Sequence, residues 1–109
     1  MENNLFKYKN TKGDIFTTHY LNVVDICSMN LTEIISIPDT IRYLFCYNNK
    51  LTSLPEVLPN DLKVLTCYHN KIKQLPDLKN YKLMDVGCDM CCFEDYMLEM
   101  KDVNFNLFC

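Results

Sequence analysis

Four of the seven cysteines in this chain stand on one ruler: Cys46, Cys67, Cys88 and Cys109 are spaced 21 residues apart. The tripeptide Leu44-Phe45-Cys46 returns at the far end of that ruler as Leu107-Phe108-Cys109. Self-similarity at a fixed interval of roughly 20–50 residues marks a chain that winds into stacked coils, each burying its apolar side against its neighbours. No other feature of the sequence narrows the fold so far.

Set in register on the cysteines, IRYLFCYNNKLTSLPEVLPND (41–61) and LKVLTCYHNKIKQLPDLKNYK (62–82) superpose without gaps. The shared positions are Ile41, Leu44, Cys46, Asn49, Leu51, Leu54 and Pro55 in one copy. Leu62, Leu65, Cys67, Asn70, Ile72, Leu75 and Pro76 match them in the other. This spacing resembles the leucine-rich repeat, L-x-x-L-x-L-x-x-N/C-x-L. Weaker copies flank the pair. Residues 21–40 keep Leu21, Val24, Ile26, Leu31 and Ile34, with Met29 in place of the asparagine. Residues 83–103 keep Leu83, Val86, Cys88 and Phe93, with Cys91 in that place. Leu107 and Cys109 fit a partial fifth copy at 104–109. The short, Leu-Pro-containing repeats are similar to those of bacterial effector ubiquitin ligases and of repeat proteins in giant viruses. The fold this resemblance implies is an α/β-type leucine-rich-repeat solenoid, with a parallel sheet on its concave side and an extended or 3₁₀ convex side.

Side chains alternate faces along a strand, and equivalent residues of successive coils lie about 4.8 Å apart. Ile26, Cys46, Cys67, Cys88 and Cys109 are therefore expected to form an inward row. Free cysteine serves there as a small hydrophobe. In-register neighbours hold their Cβ atoms wider apart than the ~3.8 Å typical of a disulfide. Asn49 and Asn70 carry donors and an acceptor inward, suited to backbone groups that lose ladder partners where each coil turns. Prolines in the limbs that follow exclude α-helix there. Residues 1–20 lie off the register; strands around Asn10-Thr11-Lys12-Gly13 are expected to form a hairpin capping the first coil. Phe93, Tyr96, Met97 and Met100 recur at helical spacing, predicting a short helix at about 94–101.

A net charge of −3 and a pI near 5.2 disfavour nucleic acid as a partner. The polar start MENNLFKYKNTKGD lacks a signal-peptide core, and no run approaches the roughly 18 apolar residues of a membrane span. An odd number of cysteines without a visible leader suggests a reducing, cytoplasmic setting. CDMCC offers one C-x₂-C pair for zinc, Cys88 and Cys91, with Cys92 beside it and Cys27 or Cys109 as further ligands. No second close pair exists, however, and the repeat claims Cys88 and Cys91 for its interior. Cys92 falls outside the repeat positions and is expected to be an exposed thiol. A cysteine nucleophile needs a base. The histidines are His19 and His69, and His69 is expected on the strand face, away from Cys92. Gly13 and Gly87 are too isolated for a phosphate loop. Neither catalysis nor a cofactor is expected.

What remains is the outward face of the strands. Its expected rows are Val23, Asp25, Cys27 and Ser28; Tyr43, Phe45, Tyr47 and Asn48; Val64, Thr66, Tyr68 and His69; and Asp85, Gly87, Asp89 and Met90. Aromatic side chains are over-represented among interface anchors. The sequence thus points to a protein-binding module using Tyr43, Phe45, Tyr47, Tyr68, His69, Asp85 and Asp89. A second expectation is a structural module that self-associates, as a homodimer, through an open C-terminal edge strand.

Overall fold

A parallel ladder carries the structure. In the computed structural model, which describes residues 5–109, β3 (Val23–Asp25), β5 (Tyr43–Phe45), β6 (Val64–Thr66), β7 (Asp85–Asp89) and β8 (Asn104–Phe108) form one sheet in that order. Every neighbouring pair is parallel. The chain is a solenoid of about four turns with almost no helix. The first four strands hide their second residue: Val24, Leu44, Leu65 and Val86 are buried, and so are Ile26, Cys46, Cys67 and Cys88 one alternation further on. The first four residues of the cap expected at 1–20 lie outside the described residues. Among the described residues no helix is long and apolar enough to cross a membrane.

The coil length varies. Val23 pairs with Tyr43, Tyr43 with Val64, Val64 with Asp85 and Asp85 with Asn104, so the interval is 20 residues, then 21 twice, then 19. The last interval corrects the ruler. Leu107 lies beside Cys88, Phe108 beside Asp89, and Cys109 leaves the inward row for an exposed position past the strand. The cause is the return limb of the fourth coil. In place of a Leu-Pro segment it makes two 3₁₀ turns, Met90–Cys92 and Asp95–Glu99, which close the coil two residues early. The helix expected at 94–101 is thus five residues of 3₁₀. It inserts Met97 into the core, with Phe93, Tyr96 and Met100 packed against it.

The first turn displaces Cys91 from the repeat's inward position. Cys92, expected at the surface, is buried, and Cys91 is exposed. Leu21 also leaves its repeat position, standing 87% exposed, while Tyr20 packs its ring edge-on to Phe6 at 5.8 Å.

The N-terminal end is closed by a second sheet of three strands. β1 (Leu5–Asn10) and β2 (Ile15–His19) form an antiparallel hairpin. Asn10 Oδ1 accepts from the amides of Lys12 and Asp14, and Gly13 takes φ +86°. β1 also pairs with β4 (Leu31–Ser36), the return limb of the first coil. That limb, LTEIIS, has no proline before Pro38, so its amides remain available for a ladder. Phe6 and Tyr8 of β1 are buried with Leu31 and Ile34 of β4.

Where the two central coils leave their strands, an asparagine stitches each to the one before. Asn49 Oδ1 accepts from the amides of Met29 (2.9 Å) and Leu31 (3.0 Å), and its Nδ2 donates to the carbonyls of Ile26 (2.9 Å) and Cys46 (3.1 Å). Asn70 repeats the device one coil on. It accepts from Leu51 N–H at 2.9 Å and donates to the carbonyls of Cys46 (3.0 Å) and Cys67 (3.1 Å). The convex side has its own stitches: the Leu58 amide donates to the Tyr81 hydroxyl, and the Leu78 amide to the Tyr96 hydroxyl.

Removing such a side chain strands several buried backbone groups at once, each costing about 1–3 kcal/mol when left unpaired. Asn49→Ala is expected to destabilise the chain by roughly 3 kcal/mol. In urea unfolding it should cost clearly more than Asn48→Ala, whose side chain makes an exposed bond to Ser28. Equal losses for the two variants would refute the role assigned to Asn49.

Candidate partner-binding face

The concave face is the set of strand positions that alternate away from the core, and the pairing fixes it row by row. Val23, Tyr43, Val64, Asp85 and Asn104 form one row across the sheet. Asp25, Phe45, Thr66, Gly87 and Asn106 form the next. The same alternation continued two residues further gives Cys27, Tyr47, Tyr68, Asp89 and Phe108.

In that third row the rings stack. Tyr47 and Tyr68 lie 4.7 Å apart and within 4° of parallel, the separation of neighbouring strands. Phe108 stacks on the Tyr68 ring at 3.9 Å and 16°, although a whole strand, β7, lies between their backbones. Gly87 makes this reach feasible. A Cβ at that position would stand 3.8 Å from Phe108 Cε1 and 3.4 Å from Thr66 Cγ2, so any larger side chain would occupy the ring's path. His69 meets both rings edge-on, at 5.0 Å from Tyr68 and 5.9 Å from Phe108. Phe108 was not named among the expected face residues; its place in this row, beside Asp89, depends on the short fourth coil, which the cysteine ruler conceals.

Three expected face residues sit elsewhere. Ser28, Asn48 and His69 all have φ of 56–58° and form the left-handed bend that ends each strand, one residue before the inward asparagine position. Non-glycine residues seldom take this conformation, and asparagine is among those that tolerate it best. Their amides are held by the following coil: Ser28 N–H donates to the Tyr47 carbonyl and Asn48 N–H to the Tyr68 carbonyl. His69 N–H donates instead to Asp89 Oδ1 at 2.9 Å. The fourth equivalent, Met90, opens a 3₁₀ turn.

The carboxylates of the face are therefore partly engaged. Asp89 also accepts from Asn70 N–H at 3.4 Å, Asp85 accepts from Asn104 Nδ2 at 3.0 Å, and Asp25 accepts from Cys27 N–H at 3.3 Å. No lysine or arginine occupies any of the three rows. Arg42 and Lys63 each precede a strand with the inward parity of Leu44 and Leu65, off this face.

The thiols do not gather into a reactive group. Cys91 and Cys92 both direct sulfur at the Ile72 carbonyl, at 3.7 and 3.1 Å, and Cys109 Sγ lies 3.6 Å from Met90 Sδ. Among the described residues no three His, Cys, Asp or Glu side chains form a metal-holding group. Burial raises the titration of the inward thiols: Cys88 to about 11, Cys92 to about 12, and Cys46 and Cys67 are likewise pushed well up. Burial, with Asp25 alongside, takes Cys27 to about 11.

A family model described as Leucine Rich repeats (2 copies) matches residues 39–80, the span of the two central coils. Over those residues the chain is similar to a family whose repeats generally mediate protein–protein interaction and are typically non-catalytic. No curated protein and no solved structure matches the chain.

The thiol environments set two measurable orders. In the folded chain at pH 8, alkylation followed by mass spectrometry should modify exposed Cys91 and Cys109 first. Cys46, Cys67, Cys88 and Cys92 should react more than about tenfold slower. Because the folded state holds the protons of Cys88 and Cys92 more tightly than the unfolded chain, whose thiols titrate near 9.0, the associated stability is intact below pH 9. It is lost as pH rises through about 11 and about 12. Urea midpoints should agree at pH 7.5 and 8.5, fall by pH 10.5, and fall less in Cys88→Ala. A wild-type midpoint unchanged at pH 10.5 would contradict this.

Proposed function

We propose that this chain is a non-catalytic protein-binding module and that its partner docks on the concave strand face. The observation that supports this best is the stack of Tyr47, Tyr68 and Phe108 standing on an open sheet surface. Flat aromatic rings already held by one another lose little conformational freedom when a partner arrives, and such residues anchor interfaces. Phe45 and Tyr43 widen the apolar floor, and His69 borders it.

The charge of the face chooses among partners. Asp25, Asp85 and Asp89 are offset by no cation on the three rows, so a surface bearing lysine or arginine is favoured and an acidic one is repelled. The reading includes a reducing, cytoplasmic setting, supported by the thiols of Cys46, Cys67 and Cys88 serving as apolar filler. The Leu-Pro limbs' likeness to bacterial effector and giant-virus repeats agrees with a binding role and names no partner.

The test is capture from cell lysate on the immobilised chain, quantified by mass spectrometry against variants. Tyr47→Ala with Tyr68→Ala should weaken capture of a specific partner by roughly tenfold or more, the loss of about 1.4 kcal/mol expected on truncating interface anchors. Asp25→Asn with Asp85→Asn should weaken it less and reduce its salt sensitivity. A captured set indifferent to both pairs of substitutions would remove the concave face from consideration.

A further inference from the structure

We propose that the 109-residue chain forms a closed dimer in which β8 pairs antiparallel with β8 of a second copy, centred on Asn106.

The direction of the ladder hydrogen bonds identifies the groups that do the pairing. Residues facing the core send their amides forward to the next strand: Ile26 N–H to the Phe45 carbonyl, Cys46 N–H to Thr66, and Cys67 N–H to Gly87, at 2.8–2.9 Å. Residues facing the concave side send theirs back: Tyr43 N–H to Asn22, Val64 N–H to Arg42, and Asn104 N–H to Met84. Carried to β8, the alternation spends Asn104, Asn106 and Phe108 on β7. It leaves the amides and carbonyls of Phe105 and Leu107 pointing outward, with no partner strand among the described residues.

The sequence of the edge is self-complementary. Around a two-fold axis at Asn106, Phe105 falls opposite Leu107 of the second copy and Leu107 opposite its Phe105. Both are then pairs in which each residue has outward groups and exchanges two hydrogen bonds with the other. Both side chains face the core, so they meet across the seam as cross-strand apolar neighbours. Leu107 is 39% exposed and Leu98, on the terminal return limb, 63% exposed, an apolar end that a second copy would cover.

The strand has no charge, proline or bulge, the devices that ordinarily protect an edge. The opposite edge, β3, is three residues long and carries Asp25. Antiparallel closure is therefore favoured over head-to-tail stacking, which would join β8 to β3 and leave an open end for every copy added. An axis perpendicular to the sheet keeps both concave faces on the same side. The pairing thus stands independently of the partner-binding reading and would give one assembly two such faces.

Light scattering coupled to size exclusion, across a wide concentration range, reads the outcome. The wild-type chain should move from 12.9 kDa towards about twice that mass. Leu107→Pro deletes an outward N–H and trims the side chain at the seam while sparing the amides bonded to β7, a change that edge strands tolerate. Leu107→Lys puts a charge at the seam. Each should raise the dimer dissociation constant at least tenfold while leaving the far-ultraviolet circular dichroism unchanged, and Tyr47→Ala should remain dimeric. Hydrogen exchange on the wild type supplies a measurement free of variants: the Phe105 and Leu107 amides should gain protection as concentration rises. A monomer at every concentration, growth beyond two copies, a dimer indifferent to both Leu107 variants, or protection independent of concentration would each overturn the proposal.

Discussion

The first three coils of this chain end their strands by turning through a left-handed residue, and the turn would orphan backbone groups in the interior if nothing met them. Asn49 and Asn70 meet them. Each amide accepts from the limb of the preceding coil and donates to the carbonyls at the ends of two strands. The asparagine thus fixes how far apart adjacent coils stand and in what register. The parallel ladder, the filling of the interior by Leu44, Cys46, Leu65 and Cys67, and the alignment of Tyr47 with Tyr68 all follow from that spacing. A side chain with one fewer donor would leave the same turn short of a partner.

The central coils were legible in the sequence because their constraints are local and repeated. Ile41, Leu44, Cys46 and Leu51 are all buried, as are their counterparts one coil later, and Asn49 and Asn70 make the bonds their type suggests. The misjudged positions lie where the limb changes character. Cys109 shares a tripeptide with Cys46, but the number of residues in the fourth limb sets its register, and 3₁₀ turns use fewer than a Leu-Pro limb. Cys91 and Cys92 exchanged roles for the same reason. His69 looked like a strand residue because polarity cannot distinguish the last outward position from the bend that follows it. The asparagines at 30 and 48, both at positive φ, were the available signal. Phe108 was hidden twice over, by the slipped register and by a contact that crosses an intervening strand.

The thiols make a similar point about composition. Seven cysteines in a short chain would suggest a bonded framework or a metal site if counted alone. Their placement separates them into two populations: a buried spine of Cys46, Cys67, Cys88 and Cys92, where desolvation suppresses the thiolate, and the outlying Cys27, Cys91 and Cys109. Position in the repeat, more than abundance, decides the chemistry each sulfur has access to.

The ring of Phe108 lies over Gly87 and rests on Tyr68, which ties the last strand to a coil that is not its neighbour. A stack of coils coupled only to adjacent ones can fray from its end one unit at a time. Here the final strand cannot lift away without unstacking an aromatic residue two strands back. Release of the C-terminal coil therefore disturbs the concave surface as well, so the stack couples the end of this short solenoid to its middle.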